Sequence, residues 1–348
     1  MHELIPQAEL GLQTAVVVPV FFSARPSDAM VERQLWMTLV DLPHYLPAEQ
    51  VWLVVDGDSR SAGIARQVVG GLGDAGQGTM QVLVNAENGG KLAVIRQGMR
   101  AILESQPQVR YLAIMDGDAD HLPAVLPGLT RAAQSMVEAY GHERIIAIGA
   151  RSSRTRPMGW VRGELEALLD QLTVDALTYA LARDGRAIDL SQCLPGRVPD
   201  LSSGYKVYLR EMARLLFAGQ EPDTGTLTGW DYWHYGPETV TIVNAVLAGA
   251  VFSEMLRPTW DGQPVTSFGE FSVVSMYGAL LTWVWAHLEL PLQAAAVQYD
   301  NRRVGMALGT AIEGVQVLDR LRAHALNGLA AHRGDANVPE TRATLPFV

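Results

Sequence analysis

Short apolar runs alternate with amphipathic stretches along the first half of the chain. The run TAVVVPVF at 14–21 is continuous and rich in β-branched residues, which is typical of a strand buried on both faces of a parallel sheet. Four similar runs follow, at 51–55, 79–85, 111–116 and 144–150. Helix-patterned stretches at 28–41 and 92–105 separate them. This alternation predicts an α/β fold with a mainly parallel, Rossmann-like sheet flanked by helices.

The pattern changes after Arg151, where helical stretches dominate. The predicted elements are a long helix at 163–182, a turn, short strand and helix at 200–219, and a helix at 237–249 that leads into a strand ending at 256. From 258 onward the chain has helical periodicity. We therefore predict three parts, a sheet-containing domain at 1–257, a helical C-terminal extension at 258–330 and a flexible polar tail at 331–348.

Composition narrows the class of protein. The chain has 348 residues, of which 48% are hydrophobic and 18% are charged, as expected of a globular protein. The net charge of −10 and the absence of a Lys/Arg run argue against a nucleic-acid partner. The single cysteine, Cys193, excludes an internal disulfide and a cysteine-based zinc site, and it fits a reducing compartment.

Two segments bear on localisation. The N-terminal segment MHELIPQAELGLQ lacks the basic start and apolar centre of a secretion signal, so a cytoplasmic protein is predicted. The one long apolar run, at 271–290, is interrupted near its end by His287 and Glu289, and it is close to the lower length limit for a membrane span. We interpret it as a buried or membrane-touching helix, which leaves peripheral membrane association open.

Charged residues follow three of the predicted strands at the point where each strand ends. Asp56 and Asp58 follow the second strand, and Lys91 in the helix-opening segment NGGK follows the third. Asp116 and Asp118 follow the fourth. In an open parallel sheet the carboxyl ends of the strands meet at one edge, where ligands bind. Each acidic cluster alone could be a solvated turn. Together they predict a site in which Asp116 and Asp118 hold a hard divalent cation, Mg²⁺ or Mn²⁺.

Six segments, in order along the chain, resemble motifs of the family 2 glycosyltransferases, which have the GT-A fold. They are VVVPVF, VVDGDS, NGGKLAVIRQGM, MDGDADHLP, SSGYKVYLRE and PETVTIVNAVLAG. Within that family the chain looks most like the polyprenyl-phosphate sugar transferases of the dolichol-phosphate mannose synthase type, whose MDADxxHxP and SGFRxYxRE motifs are similar to the fourth and fifth segments. The resemblance covers 14–257 and implies a GT-A catalytic domain that binds a nucleotide sugar.

The resemblance also implies which residues bind the donor. They are Pro19, Val20, Asp56, Asp58, Lys91, Asp116, Gly117, Ser203, Gly204 and Lys206. Asp56 would contact the base or ribose above a floor formed by Pro19 and Val20, and the D-x-D pair of the acidic segment would hold the metal. The segment from Ser203 to Lys206 would lie near the acceptor or the diphosphate. Lys206 stands where the family usually has Arg, so a point charge replaces a bidentate phosphate contact.

An acceptor hydroxyl needs a base, and the resemblance places a carboxylate at the start of a late helix. Glu238 occupies that position, and Asp231 in GWDYW is the competing candidate. Glu238 could also be a helix-start acid stabilised by the macrodipole, and a phosphate acceptor would need no base.

The aromatic loop GWDYWHYGPE could stack on a sugar or plug the core. Asp120 has no assigned role, and His121 is either a metal or acceptor contact or, as we favour, a partly exposed loop histidine.

These observations predict a metal-dependent glycosyltransferase that uses a UDP- or GDP-sugar and inverts the anomeric carbon. The acceptor is open between a polyprenyl phosphate and a soluble hydroxyl compound, because TSFGEF at 266–271 departs from the family's R-x-x-G-x-S-K ending and only Arg257 is suggestive. A sugar nucleotidyltransferase is the enzymatic alternative, although VFFSARPSD lacks the Gly-rich basic loop that it requires. A degenerate GT-A domain that binds without turnover is the non-enzymatic alternative. The donor base, the sugar and a homo-oligomeric state stay open.

Overall fold

The computed structural model describes residues 5–23, 25–219, 221–260, 273–335 and 337–340. Its strands are β1 (Thr14–Val20), β2 (Val51–Val55), β3 (Gln81–Val84), β4 (Tyr111–Ile114), β5 (Ile145–Arg151), β6 (Lys206–Leu209) and β7 (Val251–Arg257). Its helices are α1 (Gln7–Leu12), α2 (Asp28–Leu39), α3 (Ser59–Leu72), α4 (Lys91–Ser105), α5 (Leu126–Tyr140), α6 (Thr155–Met158), α7 (Trp160–Arg183), α8 (Arg210–Phe217), α9 (Gly229–Tyr235), α10 (Thr239–Leu247), α11 (Val273–His287), α12 (Leu292–Arg303) and α13 (Ile312–Arg333). The TSFGEF segment and residues 341–348 of the predicted tail lie outside the described residues.

The seven strands form one sheet in the order β3-β2-β1-β4-β6-β5-β7. Neighbouring strands are parallel except at β6, which runs antiparallel to β4 and β5. From β1 the chain winds outward through β2 and β3, and it then returns to place β4 on the other side of β1. This reversal opens a crevice at the carboxyl ends of β1 and β4, which is where open α/β sheets bind ligands.

Helices cover both faces of the sheet. Alternate residues of a strand face opposite sides, so Val16 and Val18 of β1 pack with α2, α3 and α5, whereas Ala15 and Val17 pack with α4 and α7. Every residue of β2 is buried, as expected of a strand that is covered on both sides.

The helical extension packs on the second face and is continuous with it. Helices α11 and α12 contact α7, and α13 contacts α11 and α12. Their apolar side chains belong to the same buried cluster as those of α4, α7 and α10. The predicted fold class is thus confirmed, an α/β domain with a mainly parallel sheet flanked by helices and followed by a helical extension. The division at 257/258 stays a prediction.

The predicted elements match the observed ones to within a few residues at their ends, but α1, α3, α5 and α6 were not among them. Two further features were not predicted. One is the reversed direction of β6. The other is α9, because the aromatic segment predicted to be a loop forms a helix. Thr228 caps that helix by accepting a hydrogen bond from the Asp231 N–H. Among the described helices none is long and apolar enough to cross a membrane, and α11 spans 15 residues.

Candidate active site

A pocket of about 510 Å³ opens at the carboxyl ends of β1, β2 and β4. The wall nearer the sheet is formed by Pro19, Val20, Phe21, Asp56, Asn88, Lys91, Asp116, Gly117, Asp118, Asp120 and His121. The opposite wall is formed by Pro157, Met158, Arg162, Glu166, Leu169, Met276, Tyr277 and Leu280. The crevice expected at the strand ends is therefore closed on its far side by α6, α7 and α11, of which α11 belongs to the extension.

Asp56 is buried at the end of β2, and its carboxylate is held by the NGGK segment. Its two oxygens accept hydrogen bonds from the N–H groups of Gly89 and Gly90, at 2.7 and 2.8 Å. Gly90 has a φ of +94°, a conformation that favours glycine, and it directly precedes α4. The N–H groups that directly precede α4 thus bind an anion, and that anion is a carboxylate of the protein itself. The predicted contact of Asp56 with a base or ribose stays a prediction.

Asp58 is the N-cap of α3 rather than a pocket residue. Its carboxylate accepts hydrogen bonds from the N–H groups of Arg60 and Ser61, at 3.2 and 2.9 Å. Partial burial opposes these bonds, but the bonds prevail and lower the pKa of Asp58. The predicted nucleotide-sugar contact has no support here, because Asp58 lies outside the described pocket lining.

Asp116 and Asp118 lie on the turn directly after β4, and both line the pocket. Gly117 between them lies against β1, since a Cβ on it would be 3.3 Å from the Pro19 carbonyl oxygen. Asp118 accepts a hydrogen bond from the Asp120 N–H at 3.2 Å. Burial raises the pKa of Asp118 to about 7, and repulsion by Asp116 and Asp120 adds to the effect. A cation bound between these carboxylates would relieve that repulsion.

Lys91 joins the acidic turn to the start of α10. Its ammonium nitrogen lies 2.9 Å from Oδ1 of Asp116 and 2.9 Å from Oε1 of Glu238. Burial alone would lower the pKa of Lys91, but the two carboxylates outweigh it and raise the pKa well above its usual value. The ammonium is therefore charged throughout the physiological pH range.

Glu238 lies in the pocket, and Asp231 does not. Glu238 immediately precedes α10 and faces Lys91 across the site. The carboxylate of Asp231 accepts a hydrogen bond from the hydroxyl of its helix cap, Thr228, at 2.7 Å, and it lies outside the described pocket lining. Of the two predicted bases, only Glu238 thus lies in the same pocket as Asp116 and Asp118, the predicted metal ligands.

Asp120 has a partner that the sequence did not reveal. Its carboxylate forms a buried ion pair with Arg257 at 2.9 Å, and the same guanidinium donates to the Asp120 carbonyl oxygen at 3.1 Å. Arg257 is the last residue of β7. This pair attaches the acidic turn to the far half of the sheet, and it engages the charge of Asp120 before any ligand binds.

His121 orients the backbone of the acidic turn. Its Nδ1 accepts a hydrogen bond from the Asp116 N–H at 2.9 Å, and its ring stacks on Tyr205 with centroids 4.8 Å apart. Burial and the neighbouring Arg257 hold the pKa of His121 well below its usual value, so the ring is neutral with its proton on Nε2. The predicted partly exposed loop histidine is wrong, because His121 is only 2% exposed.

Ser203 and Lys206 form hydrogen bonds with the backbone near the pocket. The Ser203 hydroxyl donates to the Gly149 carbonyl oxygen at 2.7 Å, and its own carbonyl accepts a hydrogen bond from the Lys206 ammonium. Lys206 begins β6 between two neighbouring strands, is fully buried and lies outside the described pocket lining. A contact of Lys206 with the diphosphate or acceptor therefore has no support, because the reversed strand places this side chain in the interior.

Gly204 allows the acidic turn and Lys91 to approach each other. A Cβ on Gly204 would lie 2.8 Å from Oδ2 of Asp116 and 3.4 Å from the Lys91 ammonium nitrogen. Any side chain at this position would displace the carboxylate. Gly204 lines the pocket, and its predicted position near the acceptor or the diphosphate stays a prediction.

The aromatic segment divides its side chains between the pocket and the core. Trp230 lines the pocket, is 53% exposed and stacks on His234 with centroids 3.5 Å apart. His234 is positioned by Asn88, whose side-chain oxygen lies 2.9 Å from Nε2. Tyr232 is buried in the core. The core interpretation therefore holds for Tyr232, whereas a sugar contact of Trp230 stays a prediction.

The opposite wall contains a charged network that the sequence did not reveal. Arg151 ends β5 and forms ion pairs with Asp200 at 2.6 Å and Glu166 at 2.8 Å. Glu166 also accepts hydrogen bonds from Arg162 at 2.9 Å and from the Tyr277 hydroxyl at 3.3 Å. A charged residue at the end of the fifth strand was an available signal, but partners such as Asp200, 49 residues away, could not be identified from the sequence.

The residues present fit a divalent ion that shares its coordination with a ligand. Asp116 and Asp118 supply hard oxygen donors, as Mg²⁺ and Mn²⁺ prefer. Among the described residues no group of three His, Cys, Asp or Glu side chains is placed to hold a metal. A closed site built from protein alone is thus unsupported, whereas two carboxylates that face an open pocket suit an ion completed by phosphate oxygens and water.

Comparisons with known proteins give likenesses at the level of structure. No family model matches the chain, and no curated protein matches it. A solved structure to which it is similar is that of the mannosyltransferase PcManGT from Pyrobaculum calidifontis in complex with GDP-Man and Mn²⁺. The two share 13% sequence identity over 96% of this chain and 90% of that chain, with a TM-score of 0.48. At that level the likeness by itself assigns neither an activity nor a site.

Proposed function

We propose that the protein is a metal-dependent glycosyltransferase that transfers a sugar from a nucleoside diphosphate sugar to an acceptor, with inversion at the anomeric carbon. The observation that carries the proposal is that Asp116 and Asp118 share one pocket with Lys91 and Glu238. This arrangement combines donors for a divalent ion, a fixed ammonium and a carboxylate with no helix-capping bond of its own.

The chemistry explains why these groups belong together. An acceptor oxygen forms a bond to the anomeric carbon while the bond from that carbon to the diphosphate oxygen breaks, so negative charge develops on the leaving diphosphate. A divalent ion bound at Asp116 and Asp118 would supply a Lewis acid that stabilises this charge. Lys91 adds a positive charge in the same place. Glu238 accepts the proton of an acceptor hydroxyl, and this single displacement inverts the anomeric carbon.

The opposite wall is suited to the acceptor. It combines apolar side chains, such as Leu169 and Leu280, with the polar network around Glu166. The donor groups all lie on the sheet side of the pocket, so this wall is the surface left for the second substrate. A polyprenyl phosphate and a soluble hydroxyl compound are both compatible with it.

The first test is a binding panel. Thermal shift with UDP- and GDP-sugars, GDP-mannose among them, is measured with Mn²⁺ and with EDTA. We expect at least one nucleotide sugar to stabilise the protein only with Mn²⁺, followed by release of nucleoside diphosphate when an acceptor is supplied. Stabilisation without turnover would favour a binding module. Formation of pyrophosphate from a nucleoside triphosphate and a sugar phosphate would identify a nucleotidyltransferase instead.

The second test removes a predicted metal ligand. Asp118→Asn should weaken Mn²⁺-dependent binding of the nucleoside diphosphate by about a hundredfold or more, because an amide is a poor ligand for a hard cation. Calorimetry measures this affinity, and melting in EDTA should stay nearly unchanged. Asp74→Asn is the matched control, since Asp74 is an exposed carboxylate outside the described pocket lining. Equal affinities in both variants would rule out the metal assignment.

A further inference from the structure

Lys91 is the counter-ion of two carboxylates in the pocket, those of Asp116 and Glu238. Its ammonium nitrogen lies 2.9 Å from Oδ1 and 3.1 Å from Oδ2 of Asp116, so it faces both oxygens of the carboxylate. It also lies 2.9 Å from Oε1 of Glu238. One ammonium thus bridges a predicted metal ligand and the predicted base.

The backbone at Lys91 is held in place, whereas its long side chain is flexible. The backbone is anchored because Asp56 binds the two N–H groups that precede Lys91. Gly90 also packs closely against α9, since a Cβ on Gly90 would lie 2.6 Å from the Trp233 carbonyl. The start of α4 is therefore held tightly against α9. The side chain itself is 30% exposed to the pocket, and its four-carbon stem allows the ammonium to swing over several ångströms.

Two positive ions cannot share Asp116 at low cost. An ammonium and a divalent ion at the same separation repel each other twice as strongly as two unit charges, because the interaction scales with the product of the charges. The nearby guanidinium of Arg257 is already paired with Asp120. A divalent ion that enters without a phosphate must therefore compete with Lys91, whereas one that enters with a diphosphate brings negative charge to which the ammonium can move.

We propose that Lys91 is an internal cation that competes with free metal for Asp116, and that it releases Asp116 to the metal only when a diphosphate binds its ammonium instead. The inference rests on the proposed function, because it takes Asp116 as a ligand of the divalent ion. Lys91 is in this respect a positioning residue as well as a phosphate contact. Metal and diphosphate then bind with strong positive coupling, and a large part of that coupling passes through one side chain.

The decisive measurement uses metal alone. Mn²⁺ is titrated into metal-stripped protein, and free Mn²⁺ is followed by electron paramagnetic resonance. We expect Lys91→Met to bind Mn²⁺ about tenfold more tightly than the wild type, because the competing charge is gone. Lys91→Arg, which keeps the charge, should stay close to the wild type. Arg110→Met is the matched control, since it removes a cation paired with Glu143 at 2.7 Å, outside the described pocket lining.

The second arm measures coupling. In the wild type, saturating nucleoside diphosphate should tighten Mn²⁺ binding by at least about a hundredfold, and in Lys91→Met this gain should shrink about tenfold or more. Lys91→Gln provides a second neutral variant should the methionine variant fold poorly, which circular dichroism reports. An unchanged or weaker Mn²⁺ affinity in both neutral variants would overturn the inference.

The two proposals fail differently. Tighter Mn²⁺ binding in Lys91→Met together with no response to any nucleotide sugar would overturn the glycosyltransferase and leave the internal cation standing. Loss of metal-dependent nucleotide binding in Asp118→Asn together with unchanged Mn²⁺ affinity in both neutral Lys91 variants would do the reverse.

Discussion

At the scale of single residues, Lys206 is a charged side chain in the interior of the sheet. Its ammonium donates a hydrogen bond to the Ser203 carbonyl and forms no ion pair among the described residues. Burial lowers the pKa of Lys206 to about 8, and the attraction of Glu238 and Asp200 offsets only part of this effect. Below that pH the folded protein carries a buried charge that the unfolded chain holds in water, so the charge costs stability.

This cost gives stability a specific pH dependence. Between about pH 8 and the unfolded pKa of about 10.4, the unfolded chain binds more protons at Lys206 than the folded protein does, so stability rises with pH. From pH 7.5 to 10 we expect the free energy of unfolding of the wild type to increase by about 2 kcal/mol relative to Lys206→Met. Urea unfolding of both proteins across this range measures the difference.

Arg110→Met serves as the control, because a guanidinium does not titrate in this range. Its unfolding free energy should therefore run parallel to that of the wild type. Parallel curves for Lys206→Met as well would show that Lys206 keeps an ordinary pKa in the folded protein.

Residues with the same sequence signal can have different roles in the structure. Asp56 and Asp58 both follow β2, yet one binds the start of α4 and the other caps α3. Asp116 and Lys91 lie in one pocket, as expected of residues that follow parallel strands at the same edge of a sheet. Glu238 does not follow a strand, and its place came from the family resemblance alone. The sequence could not predict that Asp58 caps α3. A carboxylate three residues before a serine is equally compatible with a turn, a helix cap and a ligand contact.

At the scale of elements, α11 and α13 approach each other through reciprocal glycines. A Cβ on Gly278 of α11 would lie 2.4 Å from the ring of His324, and a Cβ on Gly328 of α13 would lie 2.6 Å from the Thr282 hydroxyl oxygen. Thr282 is itself held in place, because its hydroxyl donates to the carbonyls of Gly278 and Ala325. The contact therefore has little room to adjust.

Gly328→Ala should lower the free energy of unfolding by about 1 to 3 kcal/mol, because the added methyl group must push α13 away from Thr282. Thermal and urea unfolding measure the change. Gly63→Ala is the matched control, since Gly63 lies within α3 with open space at its Cβ position. There the better helix propensity of alanine should raise stability by about 0.5 to 1 kcal/mol. A stabilised Gly328→Ala would contradict the close approach.

Elements were predicted better than their arrangement. Periodicity alone located β2 at 51–55 and α4 to within one residue, because burial on a sheet or a helix face imposes a local pattern. The direction of β6 was not predicted, since four buried residues have the same pattern in either direction. The wall formed by α7 and α11 was missed for a similar reason, because which helices meet depends on contacts that are distant in sequence.

At the scale of the whole molecule, the extension and the sheet share one apolar core. Leu326 of α13 and Val17 of β1 belong to the same buried cluster. The described part of the chain should therefore unfold as one cooperative unit, even though the sequence suggested a division at 257/258.

Leu326→Ala tests this cooperativity. It should cost about 2 to 5 kcal/mol and move the entire unfolding transition to lower temperature, because the lost packing belongs to the common core. Calorimetry together with far-ultraviolet circular dichroism measures the transition. Ile312→Ala on the same helix is the control, since Ile312 is 75% exposed and should have little effect. A transition that split in two would show that the extension unfolds independently.

The ion pair between Asp120 and Arg257 also has a consequence for the growing chain. The two residues are 137 positions apart, and Arg257 ends the last strand of the sheet. The ribosome synthesises the acidic turn long before Arg257. Until Arg257 has been added, the nascent chain therefore carries the carboxylate of Asp120 without its guanidinium partner. Synthesis of β7, the last of the described strands, thus supplies the positive charge that pairs with Asp120 in the turn after β4.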